Sequence, residues 1–131
     1  MATTLDVRIV TPEKRVFDGQ ATEVVLPAWE GELGVYPEHD ALLTLLRSGS
    51  CRVVTSEGVK VWVIGRGFAE IGGSTVTLLT SSCVAVSEID RARAQSDLTA
   101  AEAELGGAEF GSEKLRQAQI MAENARARLD A

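Results

Sequence analysis

The sequence predicts a β-sandwich or barrel over residues 1–86 followed by an α-helical hairpin over residues 87–131. Three observations predict it. Residues 1–86 hold 26 Val, Ile or Thr, and residues 87–131 hold three. Alanine runs the other way, with six before the break and eleven in the shorter stretch after it. Five of six aromatics and nine of twelve glycines also lie in the first part. β-branched residues suit a pleated surface, and alanine is the best helix former, so the composition break is a change of secondary structure.

Taken in order, Leu5, Val7 and Ile9 alternate with Asp6 and Arg8, the period-2 pattern of a half-buried strand. Asp18-Gly19 reads as a turn, and Val24-Val25-Leu26 as a short strand ended by Pro27. Cys51 to Thr55, Val59 to Ile64, Gly67 to Ile71 and Thr75 to Thr80 are further strands, with turns at Glu57-Gly58 and Gly72-Gly73. Strands at this spacing build a sandwich or barrel. In the second part, Ser87 is placed to cap a helix, with Asp90 near its positive end. Ala94, Leu98, Ala101 and Leu105 form one apolar stripe. Gly106-Gly107 stops that helix, and Ser112 can cap a second, whose stripe is Leu115, Ala118, Ala122, Ala125 and Leu129. Two helices joined by a short glycine loop make an antiparallel hairpin. Its alanine seam has few methylenes to bury, so it predicts an arm held weakly and able to move.

The function classes narrow by exclusion. The chain has 131 residues, 45% hydrophobic and 24% charged, the profile of a folded domain. A net charge of −6 opposes nucleic-acid binding. No apolar run reaches the roughly 18 residues of a membrane span, so direct membrane insertion is not expected. Met1 to Leu5 lack the form of a signal peptide. Two cysteines, Cys51 and Cys83, give no disulfide framework and suit a reducing compartment as structural thiols. The single histidine, His39, excludes a multi-histidine metal site and has no obvious nucleophile to serve. Gly65-Arg66-Gly67 fails as a dinucleotide motif, since Glu70 stands where a third glycine belongs. No catalytic constellation and no required cofactor emerge. The stretch from Pro27 to Asp40 crowds four acids, a histidine and two aromatics between strands. It reads either as a solvated connector or as a protein-binding edge.

At that stretch the chain resembles a known family, the epsilon subunits of F-type ATP synthases. The matching residues are Thr11-Pro12-Glu13, Val16-Phe17-Asp18-Gly19, Leu26-Pro27, Gly31-Glu32-Leu33-Gly34-Val35, Pro37, His39, Ala41-Leu42-Leu43-Thr44 and Gly67-Phe68-Ala69-Glu70, with the alanine-rich tail. Glu38 and Asp40 depart from residues that are usually Gly and Ala. The resemblance implies about ten strands, then a two-helix domain. It further implies a non-catalytic rotor subunit that binds the gamma subunit and rests on the c-ring. Such a subunit is peripheral, on the cytoplasmic face of a bacterial plasma membrane or the stromal or cytoplasmic side of a thylakoid. By carry-over, Glu32 and His39 lie in the loop facing the c-ring and stalk.

The resemblance also implies regulation by the hairpin, which permits ATP hydrolysis when folded and inhibits it when extended into the alpha/beta head. Arg91, Arg93, Lys114, Arg116, Arg126 and Arg128 are the basic residues such an arm would present; as plain helix faces they would form pairs such as Arg93–Asp97. Some bacterial members bind ATP on the folded hairpin, and Ile89-Asp90-Arg91-Ala92-Arg93-Ala94 matches their [IL]DxxRA motif. Arg128 fits one of two further arginine places, but Asn124 stands at the other, so weak or no ATP binding is expected. A stand-alone nucleotide-sensing or adaptor module of the same architecture is the alternative to the rotor subunit.

Overall fold

The computed structural model describes residues 3–131. Met1 and Ala2, at the start of the stretch read as lacking a signal peptide, lie outside the described residues. Ten strands come first: β1 (Leu5–Val10), β2 (Arg15–Ala21), β3 (Glu23–Ala28), β4 (Gly31–Val35), β5 (His39–Leu46), β6 (Gly49–Thr55), β7 (Gly58–Ile64), β8 (Gly67–Gly73), β9 (Thr75–Thr80) and β10 (Cys83–Ala85). A 3₁₀ turn at Val86–Glu88 leads to helices α1 (Arg91–Gly107) and α2 (Glu113–Asp130).

The strands form a sandwich. One layer runs β10-β7-β6-β3 with β4 on the free edge of β3, and the other runs β5-β8-β9-β1-β2. The layers join where Ala28 of β3 meets Leu46 of β5. All neighbours are antiparallel except β1 and β9. Register fixes which residues enter the core. Ala69, Leu78 and Ile9 sit side by side on β8, β9 and β1, as do Ile71, Val76 and Val7, and all six are buried. From the other layer come Val24, Leu26, Cys51, Val53 and Ile64, and the Phe17 and Trp62 rings meet 5.1 Å apart. Burial pushes the Cys51 thiol up to about 12 and that of Cys83 to about 11, so both stay protonated and act as small apolar side chains.

Three local expectations are corrected. Asp18-Gly19 is no turn: both residues lie within β2, opposite Arg8 and Val7. A Cβ on Gly19 would stand 2.9 Å from the tip of the Phe17 ring, so the glycine makes room for an aromatic inside the strand. Asp18 faces out and pairs with Arg15 at 2.9 Å. Next, Pro27 does not end its strand. β3 continues to Ala28, with the Pro27 carbonyl accepting from the Arg47 N–H at 3.0 Å and its ring packed against Gly49. Residues 27–40 are accordingly not one loop: they hold the end of β3, a turn at Trp29-Glu30, all of β4 and the start of β5. Lastly, α1 is capped by Asp90, whose carboxylate accepts from the Arg93 N–H at 3.0 Å. Ser87 lies in the preceding 3₁₀ turn, because Ile89 and Asp90 are extended. Ser112 caps α2 as expected, accepting from the Leu115 N–H at 3.1 Å.

Candidate functional site

The outer face of the β5-β8-β9-β1-β2 layer carries an apolar row. Leu45, Phe68, Leu79 and Val10 stand opposite one another on β5, β8, β9 and β1, so their side chains share the solvent side. Leu45 is 61% exposed and Phe68 41%, and Leu43, two residues along β5, is 68% exposed. Four cross-strand neighbours span roughly 14 Å at the usual strand spacing. A contiguous apolar strip of this kind is a candidate interaction surface. None of these residues stood among the sequence candidates. The available signal was β5 itself, where Ala41-Leu42-Leu43-Thr44-Leu45-Leu46 is apolar on both faces, as strands covered on both sides are.

Glu32 and His39 do not form one constellation. Glu32 is exposed on β4, opposite Pro27 and near the Trp29-Glu30 turn. His39 opens β5, opposite Gly73, and its Nδ1 lies 2.6 Å from the Asp40 carbonyl. Because the far end of β5 joins Ala28 through Leu46, these two residues stand at opposite ends of that strand. Each is presented at a sheet rim. Between them Glu38 takes a φ of 64°, the left-handed conformation that glycine adopts freely.

The hairpin closes on alanine. Ala94 and Ala101 of α1 meet Ala118, Ala122 and Ala125 of α2 as its buried residues, while Leu98, Leu105, Leu115 and Leu129 are half-buried. Every one of the six basic residues has a partner in this folded form. Arg91 donates to the Leu129 and Ala131 carbonyls at 2.9 and 2.6 Å, tying the start of α1 to the end of α2. Lys114–Glu104 at 3.1 Å and Arg126–Glu102 at 3.6 Å bridge the helices, and Arg116 pairs with Glu113 at 2.8 Å. Arg93 and Arg128 share Asp97, at 3.4 and 3.9 Å. Exposed pairs like these contribute about 0–1 kcal/mol each, so they add little to the hold of the packed seam.

The residues of the nucleotide motif are brought only partly together. Ile89 is half-buried in the extended linker, the Asp90 carboxylate is committed to the α1 cap, and Ala94 is in the seam. Arg93 and Arg128 do converge, but on the Asp97 carboxylate, which faces a groove of about 340 Å³ lined also by Gln117, Ile120, Met121 and Asn124. A polyphosphate entering there would have to displace a carboxylate from both arginines. Asn124 is also tied to the sandwich: the Ser48 hydroxyl donates to its Oδ1 at 2.5 Å.

That contact belongs to a compact polar cluster where α2 lies against the start of β6 and the end of β7. Ser48 also reaches Glu123 Oε2 at 3.1 Å, and the Arg66 guanidinium donates to both Glu123 oxygens at 2.8 and 3.0 Å. Beside this cluster, a Cβ on Gly65 would stand 2.5 Å from Ser81 Oγ and 2.8 Å from Ser82 Oγ, so the glycine leaves room for those two hydroxyls. The Arg66 guanidinium, with help from the Ser48 hydroxyl, holds the Glu123 carboxyl below its ordinary value. The tie it makes is therefore complete at neutral pH and is lost only as acid protonates the folded form.

Among the described residues no group of three His, Cys, Asp or Glu could hold a metal ion, and no helix is long and apolar enough to cross a membrane. Residues 4–86 match the family described as the β-sandwich domain of the ATP synthase delta/epsilon chain. The chain is 40% identical over 130 residues to the ATP synthase epsilon chain of Synechococcus sp. (strain WH7803), covering 97% of this chain and 95% of that one. It is 37% identical over 129 residues to the chloroplastic ATP synthase epsilon chain of Pyropia yezoensis, covering 98% and 95%. Among solved structures, a chain of the Euglena gracilis mitochondrial ATP synthase (OSCP/F1/c-ring) aligns with a TM-score of 0.83 at 21% identity, covering 97% of this chain and 80% of that one. A chain of the Tetrahymena thermophila mitochondrial ATP synthase central stalk and c-ring aligns at 0.62 with 18% identity, covering 96% and 94%.

Proposed function

The chain belongs to the epsilon subunits of F-type ATP synthases, and from that premise we propose that it is a non-catalytic rotor subunit of the central stalk. In this reading it binds the gamma subunit, rests on the c-ring and couples proton flow to ATP synthesis. The observation that carries it is the outward row of exposed Leu45 and Phe68 with half-buried Leu79 and Val10, an apolar strip on a sheet whose other face is a complete core. A rotor subunit needs one firm attachment, and this strip supplies it, toward the gamma subunit. Glu32 and His39, at polar rims, are assigned to the c-ring and stalk contacts, where polar loops call for polar partners. The protein is then peripheral, on the cytoplasmic face of a bacterial plasma membrane or the stromal or cytoplasmic side of a thylakoid. Its cyanobacterial and chloroplast relatives suit the second setting. Co-purification tests the reading: tagged full-length chain should bring down gamma and the alpha/beta head, and a chain recovered alone would overturn it.

The hairpin supplies regulation. Folded on the sandwich it leaves hydrolysis running; extended, it presents its six basic residues to the acidic surface of the alpha/beta subunits and inhibits. Support comes from the pairing pattern, since Arg91, Lys114, Arg126 and Arg128 pair across the two helices and lose those partners on opening, while Arg93 and Arg116 keep partners within their own helices.

We propose that ATP is at most a weak regulatory ligand here, because Arg93 and Arg128 are both paired with Asp97 and Asn124 supplies no cation where a second arginine would. Titration calorimetry of the full chain with ATP should show no binding tighter than about 1 mM. A micromolar dissociation constant would reverse this conclusion.

A further inference from the structure

We propose that Ser48, Arg66, Glu123 and Asn124 form a latch that holds α2 against the sandwich without any ligand, and so set how often the hairpin opens. The inference rests on the reading of the hairpin as an arm that leaves the sandwich. Among the described residues, these four side chains make the hydrogen bonds and ion pair that join the two parts. They converge on consecutive positions 123 and 124 in the interior of α2, and on the β5–β6 and β7–β8 connections.

The placement makes the cluster a fastener. The helices contribute no residue to the apolar core of the sandwich, so no large hydrophobic surface welds the parts together. The Arg66–Glu123 contact is a two-pronged, charge-assisted pair, and it sits beside Ser48, whose one hydroxyl proton lies between the Asn124 and Glu123 oxygens. Glu123 is the hub, bonded by two residues of the sandwich at once. The two-pronged Arg66–Glu123 pair and the shared Ser48 hydroxyl bond must break together for α2 to lift, a switch-like arrangement. Their partners are all protein groups, so closure needs no nucleotide.

Hydrogen exchange of the full-length chain tests this. In Glu123→Ala, Arg66→Ala and Ser48→Ala variants, amides of α2 should exchange about tenfold faster while those of β1, β8 and β9 keep wild-type protection as the internal control. The paired swap Arg66→Glu with Glu123→Arg should restore much of the protection. Unchanged α2 exchange in all three single variants would overturn the latch. The same variants should inhibit hydrolysis by the alpha/beta/gamma head at lower concentration than wild type. Faster exchange with unaltered inhibition would uphold the latch and overturn the arm reading.

Discussion

Leu45→Asp is expected to weaken binding to the gamma subunit by about 100-fold or more, and Leu43→Asp to do nearly as much. Leu45 lies at the exposed end of the apolar row, beside Phe68, and has no role inside the core. Burying such a leucine in an interface contributes about 1.5–3 kcal/mol, and a carboxylate in its place must also be stripped of water with no cation facing it. Each 1.4 kcal/mol is tenfold in affinity, so the two effects together reach that range. Folding should be nearly untouched, because both leucines already face solvent. Val59→Asp is the control: Val59 is similarly exposed, but on β7 in the other layer. Equilibrium binding to gamma, with thermal unfolding alongside, decides the matter. If Leu45→Asp binds like wild type, or Val59→Asp loses as much, the apolar row is not the stalk contact.

The row shows where sequence reading stops. Alternation at Leu5, Val7 and Ile9 revealed which side of β1 is inside, because one buried face leaves a period-2 trace. The same rule was blind to β5, whose outward leucines look like more core until register sets them beside Phe68 and Leu79. Asp18-Gly19 misled for a related reason: a glycine chosen to admit the Phe17 ring is indistinguishable, one residue at a time, from a glycine chosen for a turn. Helix positions were legible, since alanine spacing and the Ser112 cap are local signals. The latch was not. Ser48 and Arg66 lie 75 and 57 residues from Glu123, and no periodicity links positions on different elements. Asn124, met as a missing arginine, acquires a role only when the fold places it against Ser48.

Removing the hairpin should separate attachment from inhibition. Added to the alpha/beta head with gamma present, the full-length chain is expected to suppress ATP hydrolysis, and the 1–86 form to bind equally well without suppressing it. A regulatory coupling of typical size corresponds to a difference of about fivefold or more between the two forms. The short form should fold by itself, because the hydrophobic core is drawn entirely from the strands and reaches no helix residue. What the hairpin loses on leaving the sandwich is the small latch, and what it loses on opening is the packing of five alanines and four half-buried leucines with a few exposed ion pairs. Such ion pairs are individually worth about 1 kcal/mol or less, so basic contacts in the head can outweigh them. The outcome sorts the alternatives cleanly. Suppression by both forms would move inhibition to the sandwich and leave the hairpin's paired arginines without a partner to seek. If neither form suppresses while both bind gamma, coupling alone is the function, and the latch then holds closed an arm that acts on something other than hydrolysis.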